Sequence, residues 1–457
     1  MSGSAADPGP REGERPVVAH VNYSFFHSTQ SFIYFYLSRL SEVRPICLTR
    51  NRESPAISAE VPAEIAGDLY TYPDGSESRA RATVRRGGLS VRRLLSRVPP
   101  AVAEPALSLL NRQIVPRMRG DADPARYLDW AESVLRKRES RLIHAYFGPV
   151  GWRMLGLRRR LGVPLVVTFL GDDIAPSLMP WWSWWIQSDG GAVDWPARLA
   201  ELFDEADLLL AEGPFLHDRL IELGCPPEKL EVQRFAIPVK ELRFRARVPN
   251  PSGPAVIVFA GRLCEQKGVL YALDAVRRLR DEGRAVEFRL IGDDTLTDGS
   301  YAARVHAYIR THDLGDCVKP FGFLNHAQYL EELQRGDIFL HPSVVDDEGL
   351  SEGGAPVTIL EAQALGMPVV STQHCDIPNV TRPGESASLV PERDSEALAA
   401  ALRRLLDDPD SWEAMGRAGR SQVEEHHDIT KEAARLDRRY VELLDRAKGR
   451  GRPVAVS

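Results

Sequence analysis

The sequence predicts an α/β protein built from two doubly wound units, and three observations carry that reading. Short β-branched runs alternate with longer helical patterns on both sides of the midpoint, the signature of parallel sheets covered by helices. The 457 residues suffice for two or three domains of ordinary size, with 43% hydrophobic residues to fill their cores. The stretch VPNPSGP, residues 248–254, gathers Pro, Asn, Ser and Gly directly before a new apolar strand and marks a linker.

In the first unit, residues 16–247, strands are expected at 17–21, 45–48, 142–145, 165–169 and 208–211. In the second, residues 255–427, they are expected at 255–259, 287–291, 338–341 and 369–371, with helices between them. After Arg393 the pattern is wholly helical, and 430–447 reads as a long amphipathic helix within a terminal segment, 428–447. Residues 1–15 are polar and rich in Pro and Gly, which predicts a disordered tail with no signal peptide. No run reaches the roughly 18 to 20 apolar residues of a membrane span.

The formal net charge of -6 gives no overall attraction to nucleic acid or anionic lipid. Five cysteines, Cys47, Cys225, Cys264, Cys317 and Cys375, lack the paired spacing of a zinc site and are odd in number. That usage fits a reducing compartment and makes the cytoplasm the default location.

The most informative stretch is EGGAPVTILE, 352–361, followed by AQALGMPVVST. Gly353 and Gly354 let the backbone approach an anion, and Pro356 suits a first helical turn because its missing N–H would have no intrahelical partner there. A helix over about 356–365 then offers free N–H groups and the positive end of its dipole to a phosphate. Glu361 stands about one and a half turns in among Ile359, Leu360 and Ala362, so its carboxylate needs a partner, and a ribose diol is a good one. Upstream, the strand VIVFAG runs into Arg262 and Lys267, two cations five residues apart at a strand end, where doubly wound sheets bind ligands. Arg262 can fork onto phosphate oxygens and Lys267 adds a compact charge. Read alone, both could be solvated surface residues; the Gly353 loop downstream favours a shared anion site.

Taken in order, FAGRLCEQKG, LIGDD, FGFL, LHPS, EGGAPVTILEAQALGMPVVST and DIPNV resemble the C-terminal domain of retaining glycosyltransferases of family 4, across about residues 256–391. The resemblance implies the GT-B fold, two Rossmann-like domains facing each other across a cleft. It implies that Arg262 and Lys267 bind the diphosphate of a nucleotide sugar. Gly353, Gly354 and Ala355 would give it backbone N–H groups, with Pro356 and Thr358 in the same donor-binding turn. The two glutamates of the family's E-x7-E motif bind sugar and ribose. That motif separates its glutamates by eight positions, whereas Glu352 and Glu361 stand nine apart. Either the loop carries one extra residue or the sugar-binding carboxylate is displaced, with Glu348 or Asp347 able to stand in. Phe323, within FGFL, lies in the segment resembling the nucleobase site, although an ordinary strand end reads equally well.

The N-terminal half resembles the same family more weakly. HSTQSFIYFYLSRL, 27–40, carries Ser28 and Thr29 in a loop facing the donor phosphates or acceptor, with Ser31 able to cap the following helix. LIHAYFGPVG and VVTFLGDDI align with segments that often carry histidines, but Tyr146 and Leu170 occupy two of those positions. His144 remains as a supporting residue of the acceptor side beside Tyr146. Asp173, or its neighbour Asp172, could orient an acceptor hydroxyl.

Two further segments stand out. Trp181, Trp182, Trp184, Trp185 and Trp195 fit packing, acceptor stacking or membrane contact alike. Residues 79–98 hold seven arginines and no acid, with Val91, Leu94, Leu95 and Val98 as an apolar stripe. They form either a solvated face or a peripheral contact with anionic lipid at the inner face of the membrane. Nucleic acid is not expected, since no recognised module accompanies the arginines.

The family resemblance implies transfer of a sugar from a UDP- or GDP-sugar to a hydroxyl acceptor with retention of configuration. It implies no cofactor and no metal: Asp172-Asp173 and Asp293-Asp294 lack D-x-D spacing. The acceptor it points to is a lipid-linked saccharide or polysaccharide precursor. A GT-B sugar-nucleotide epimerase and a non-catalytic donor-binding subunit stay open as alternatives.

Overall fold

The computed structural model describes residues 15–25, 31–52, 69–72, 124–174, 194–250, 253–294, 299–347, 349–354 and 356–449. The expected tail, the 79–98 segment, Ser28, Thr29, Glu348, Ala355 and the tryptophans from Trp181 to Trp185 lie outside the described residues.

The first unit runs β1 (Val17–Phe25), α1 (Ser31–Leu37), β2 (Arg44–Arg52), β3 (Leu69–Thr71), α2 (Pro124–Lys137), β4 (Ser140–Tyr146), α3 (Gly148–Leu161), β5 (Leu165–Phe169), α4 (Trp195–Glu205), β6 (Leu208–Ala211), α5 (Pro214–Glu222) and β7 (Leu230–Val232). The second runs β8 (Ala255–Ala260), α6 (Val269–Asp281), β9 (Val286–Ile291), α7 (Ser300–Thr311), β10 (Val318–Gly322), α8 (His326–Arg335), β11 (Ile338–His341), α9 (Val357–Ala364), β12 (Val369–Thr372), α10 (Ile377–Val380), β13 (Ala387–Val390), α11 (Ser395–Asp407) and α12 (Ser411–His426). The helix α13 (Ile429–Gly449) closes the described chain.

Seven parallel strands form one sheet in the order β3-β2-β1-β4-β5-β6-β7, and six form the other in the order β10-β9-β8-β11-β12-β13. Helices on both faces explain the continuous apolar runs: every residue of β5, β6 and β11 is buried. In each sheet the strand order reverses once, between β1 and β4 and between β8 and β11. Chains leaving neighbouring strands in opposite directions open a crevice at their carboxyl ends, where such sheets take ligands.

Helix α13 belongs to neither sheet's local sequence, yet its Ile429, Ala433, Leu436, Tyr440 and Leu444 are buried in the core of the first unit. Its Asp437 Oδ2 accepts from the amides of Ser41, at 2.5 Å, and Glu42, at 2.9 Å. The chain crosses between the units twice, and the crossings pair: the amide of Ile237 donates to the carbonyl of His427 and that of Ile429 to the carbonyl of Ile237. The first crossing lies earlier than the 248–254 composition shift, because Val239 and Leu242 already bury against the second unit's core. No described helix is long and apolar enough to cross a membrane.

Candidate active site

The site on the second sheet is built from the loops after β8 and β11. After β8 the chain turns through Arg262 into a 3-10 turn, Glu265–Lys267, that ends on Gly268 in the left-handed conformation, φ 66°. Any Cβ on Gly268 would overlap the carbonyl of Pro342, so only glycine lets the two loops close on each other. The Val344 amide donates to the Gln266 carbonyl at 2.9 Å and completes the junction.

Across that junction lies a buried ion pair, Lys267 Nζ to Glu352 Oε2, 2.5 Å, with side chains 13% and 9% exposed. Ser343 Oγ donates to the other oxygen at 2.9 Å, and His341 Nε2 lies 3.9 Å from it. Burial by itself would raise the Glu352 carboxyl. Lys267 and His341 more than reverse this and hold it well below the usual carboxylate range. The Glu352 amide donates to His374 Nε2 at 3.2 Å, so His374 accepts there and carries its proton on Nδ1, which it gives to Glu392 at 2.7 Å. Ser343, His341, His374 and Glu392 were not singled out from the sequence, although LHPS holds the first two.

These contacts bear on the irregular glutamate spacing. Glu352 is drawn onto Lys267 and Ser343, while Asp347 is exposed and pairs with Arg393 at 3.1 Å. Helix α9 begins one residue later than the sequence suggests. Pro356 is its N-cap, extended at ψ 126°, and no described side chain caps this end. Gly353 and Gly354 precede it, and the Thr358 hydroxyl in its first turn is buried with no protein partner among the described residues. An unpartnered donor beside unpaired helix amides suits an anionic oxygen. Arg262 is exposed and makes no ion pair among the described residues. Glu361 is 4% exposed; its Oε1 lies 2.7 Å from His326 Nε2 and its Oε2 accepts from the Tyr329 hydroxyl at 2.8 Å. Phe323 is 60% exposed beyond β10.

The first unit closes over this site. Gly171 and Gly353 meet backbone to backbone, and Gly354 lies against the Glu212 side chain. Asp376, just before α10, accepts from the Phe215 amide at 2.9 Å and so caps α5 of the other unit, whose own Gly213 offers no side chain.

The acceptor-side candidates sit differently from expectation. His144 is buried, with Nδ1 2.5 Å from the Tyr440 hydroxyl of α13 and Nε2 2.7 Å from Thr168 Oγ1. Burial, with His20 beside it, pushes its pKa well below the ordinary value and keeps it neutral. Tyr146 is also buried, its hydroxyl 3.1 Å from His20 Nδ1. His144 therefore ties α13 to β4 and Tyr146 ties β4 to β1, instead of facing the cleft, because a strand covered on both faces buries alternate side chains equally. Asp173 is wholly buried; its oxygens accept from the amides of Gly148, at 2.8 Å, and Leu170, at 3.1 Å. It caps α3, whose Phe147 N-cap has no side-chain bond to give, and so cannot hold an acceptor hydroxyl directly. Asp172 opens the 3-10 turn Asp172–Ile174 that also holds Asp173. Trp195 packs in the first unit's core at the start of α4.

Burial pushes the Asp173 carboxyl up to about 6, against the pull of its backbone donors. The folded protein thus keeps a proton that the unfolded chain releases between about pH 4 and pH 6. The associated stability is full below that window and is lost as pH rises through it, by about 3 kcal/mol in all. Asp173→Asn is expected to gain stability relative to the unsubstituted protein as pH rises from 4 to 7, measured by urea unfolding. A difference that stays constant across that range would contradict this account.

Residues 241–422 match the family described as Glycosyl transferases group 1, and residues 58–234 match the Glycosyl transferase 4-like domain. The chain is 33% identical over 304 residues to the putative colanic acid biosynthesis glycosyltransferase WcaL of Salmonella typhimurium, covering 66% of this chain and 69% of that one. It is 36% identical over 223 residues to the amylovoran biosynthesis glycosyltransferase AmsK of Erwinia amylovora, 49% of this chain and 53% of that one. Among solved structures it resembles sucrose-phosphate synthase of Thermosynechococcus elongatus, with TM-score 0.68, 16% identity and coverage of 94% and 100%. It also resembles HepE of Anabaena in complex with UDP, with TM-score 0.65, 13% identity and coverage of 93% and 100%.

Proposed function

This chain belongs to the glycosyl transferases group 1 family and has the GT-B fold, and on that premise we propose that it transfers a sugar, with retention of configuration, from a UDP- or GDP-sugar to a hydroxyl acceptor. The acceptor class that its relatives' names favour is an exopolysaccharide precursor, carried on a lipid or as free saccharide. The observation that carries the reading is the meeting, at one switch point, of the Arg262–Lys267 loop with the start of α9, where the Thr358 hydroxyl awaits a partner.

The chemistry follows from charge. As the bond from the anomeric carbon to phosphate oxygen breaks, its electron pair stays on the diphosphate, and negative charge grows there. Groups fixed in advance around that oxygen stabilise the transition state more than the ground state. Glu352 takes one of the three Lys267 N–H donors, leaving two to be directed at a phosphate. Because Glu352 neutralises Lys267, the net positive charge of the site comes from Arg262 and the α9 dipole. The Gly354 amide adds a donor, while that of Gly353 already donates to Ser351 Oγ at 3.3 Å; Glu361 receives the ribose and Phe323 borders the base. The leaving phosphate can take the acceptor's proton, so that departing and entering groups share one face of the sugar. Attachment to an anionic membrane through residues 79–98 belongs to the same proposal, and flotation with anionic liposomes tests it.

Incubation with a panel of nucleotide sugars, following nucleoside diphosphate release, should single out one donor. Arg262→Ala is expected to lower that turnover at least tenfold while the melting temperature stays within about 2 °C, since an exposed side chain adds little to stability. Absence of diphosphate release from every donor, or an unchanged rate in Arg262→Ala, would overturn the proposal.

A further inference from the structure

We propose that His326 and Tyr329 are positioning residues that fix the Glu361 carboxylate for a ribose diol. Through it they set how sharply the protein separates a ribonucleotide from its 2′-deoxy counterpart. The inference rests on the donor reading above and deepens it. It starts from the first turn of α8. Asn325 accepts from the Gln328 amide at 3.0 Å and the Gln328 side chain accepts from the Asn325 amide at 3.3 Å, a reciprocal cap that fixes the helix start. His326 and Tyr329 are three residues apart and therefore share one face of α8. Each takes a different oxygen of Glu361, His326 Nε2 at 2.7 Å from Oε1 and the Tyr329 hydroxyl at 2.8 Å from Oε2.

An ionised carboxylate only accepts, so both neighbours donate, and its rotation is stopped from two sides. About four lone-pair positions are available on its oxygens, and two are used here. The two that remain suit two adjacent hydroxyls, which makes a vicinal diol the matching ligand and a single hydroxyl a poor one. Tyr329 is buried, and burial together with the Glu361 charge holds its phenol well above the usual range, so it remains a donor at any working pH. His326 is 40% exposed, and its ring lies 6.4 Å from that of Phe35 on α1, so the clamp borders the cleft between the two units.

The test is calorimetric titration with UDP, GDP and their 2′-deoxy forms, on the unsubstituted protein and on His326→Ala, His326→Gln, Tyr329→Phe and Glu361→Gln. The unsubstituted protein should bind one ribonucleotide at least tenfold more tightly than its 2′-deoxy form. His326→Ala and Tyr329→Phe should each weaken the ribonucleotide about fivefold or more and bring the ratio within threefold. His326→Gln, which keeps a donor, should restore much of it. A purely structural role would weaken both nucleotides equally and leave the ratio alone. If Glu361→Gln loses the discrimination while His326→Ala and Tyr329→Phe keep it, the positioning inference falls and the ribose assignment stands. If Glu361→Gln keeps the discrimination, the ribose assignment falls and takes the inference with it.

Discussion

Lys267→Met is expected to abolish measurable turnover and to destabilise the protein by about 3 to 5 kcal/mol, the cost of leaving a buried charge without its partner. The effect is large because Glu352 loses its ion pair while, among the described side chains, only Ser343 still donates to it, with the neutral His341 ring 3.9 Å away. The two consequences are separable. In Lys267→Met/Glu352→Gln neither charge of this pair is left, so most of the lost stability should return, while the ammonium proposed to face the diphosphate is still missing and turnover should not. Urea unfolding measures the first and nucleoside diphosphate release the second. Stability unchanged in Lys267→Met would mean that the pair is solvated in solution; activity regained in the double variant would mean that Lys267 has no part in the chemistry. The contrast with Arg262→Ala, expected to cost rate alone, comes from burial: one cation is enclosed with a carboxylate, the other is exposed.

Burial also explains which parts of the molecule could be read from the sequence. The strands β5, β6 and β11 stand at the bounds their apolar runs suggest, because a strand covered on both faces writes its limits as a continuous hydrophobic run. β3, β7, β10 and β13 left no such mark. They are three to five residues long, and β10 is an edge strand in which Lys319, Pro320 and Phe321 are exposed, a composition that avoids pairing with other chains but conceals the strand. The meeting of the Arg262–Lys267 loop with the start of α9 was legible because these groups sit on two loops, each marked locally by glycine, arginine or lysine at a strand end. The acceptor side was not. His144 and Tyr146 end a strand that points toward the cleft, but His144 is bound by Tyr440, 296 residues away on a helix that returns from the other unit, and Tyr146 by His20 on β1. Likewise the partners of Glu361 lie 35 and 32 residues upstream on α8, at no spacing that a linear motif records.

The contact between the units offers the other large effect. Gly171→Ala is expected to reduce turnover at least a hundredfold. Gly171 and Gly353 both hold left-handed backbone, φ 102° and 81°, and a Cβ on either would overlap the Cα of the other. A methyl group there must be accommodated by moving one loop away from the other, and Gly353 stands between Glu352 and the start of α9. Displacing that loop by about 1 Å would take the helix amides off the position where charge develops, which costs on the order of a hundredfold in rate. Part of any loss could come merely from forcing alanine into left-handed backbone, about 1 kcal/mol of strain. Gly162→Ala separates the two causes. Gly162 has φ 68° and nothing within 4 Å of its added Cβ, and it ends α3 instead of lining the cleft. It should lose a similar amount of stability and keep its rate. Equal activity in Gly171→Ala and Gly162→Ala would show that turnover does not require the two glycines to touch. A larger radius of gyration for Gly171→Ala by small-angle scattering, together with the lost rate, would tie catalysis to this closure.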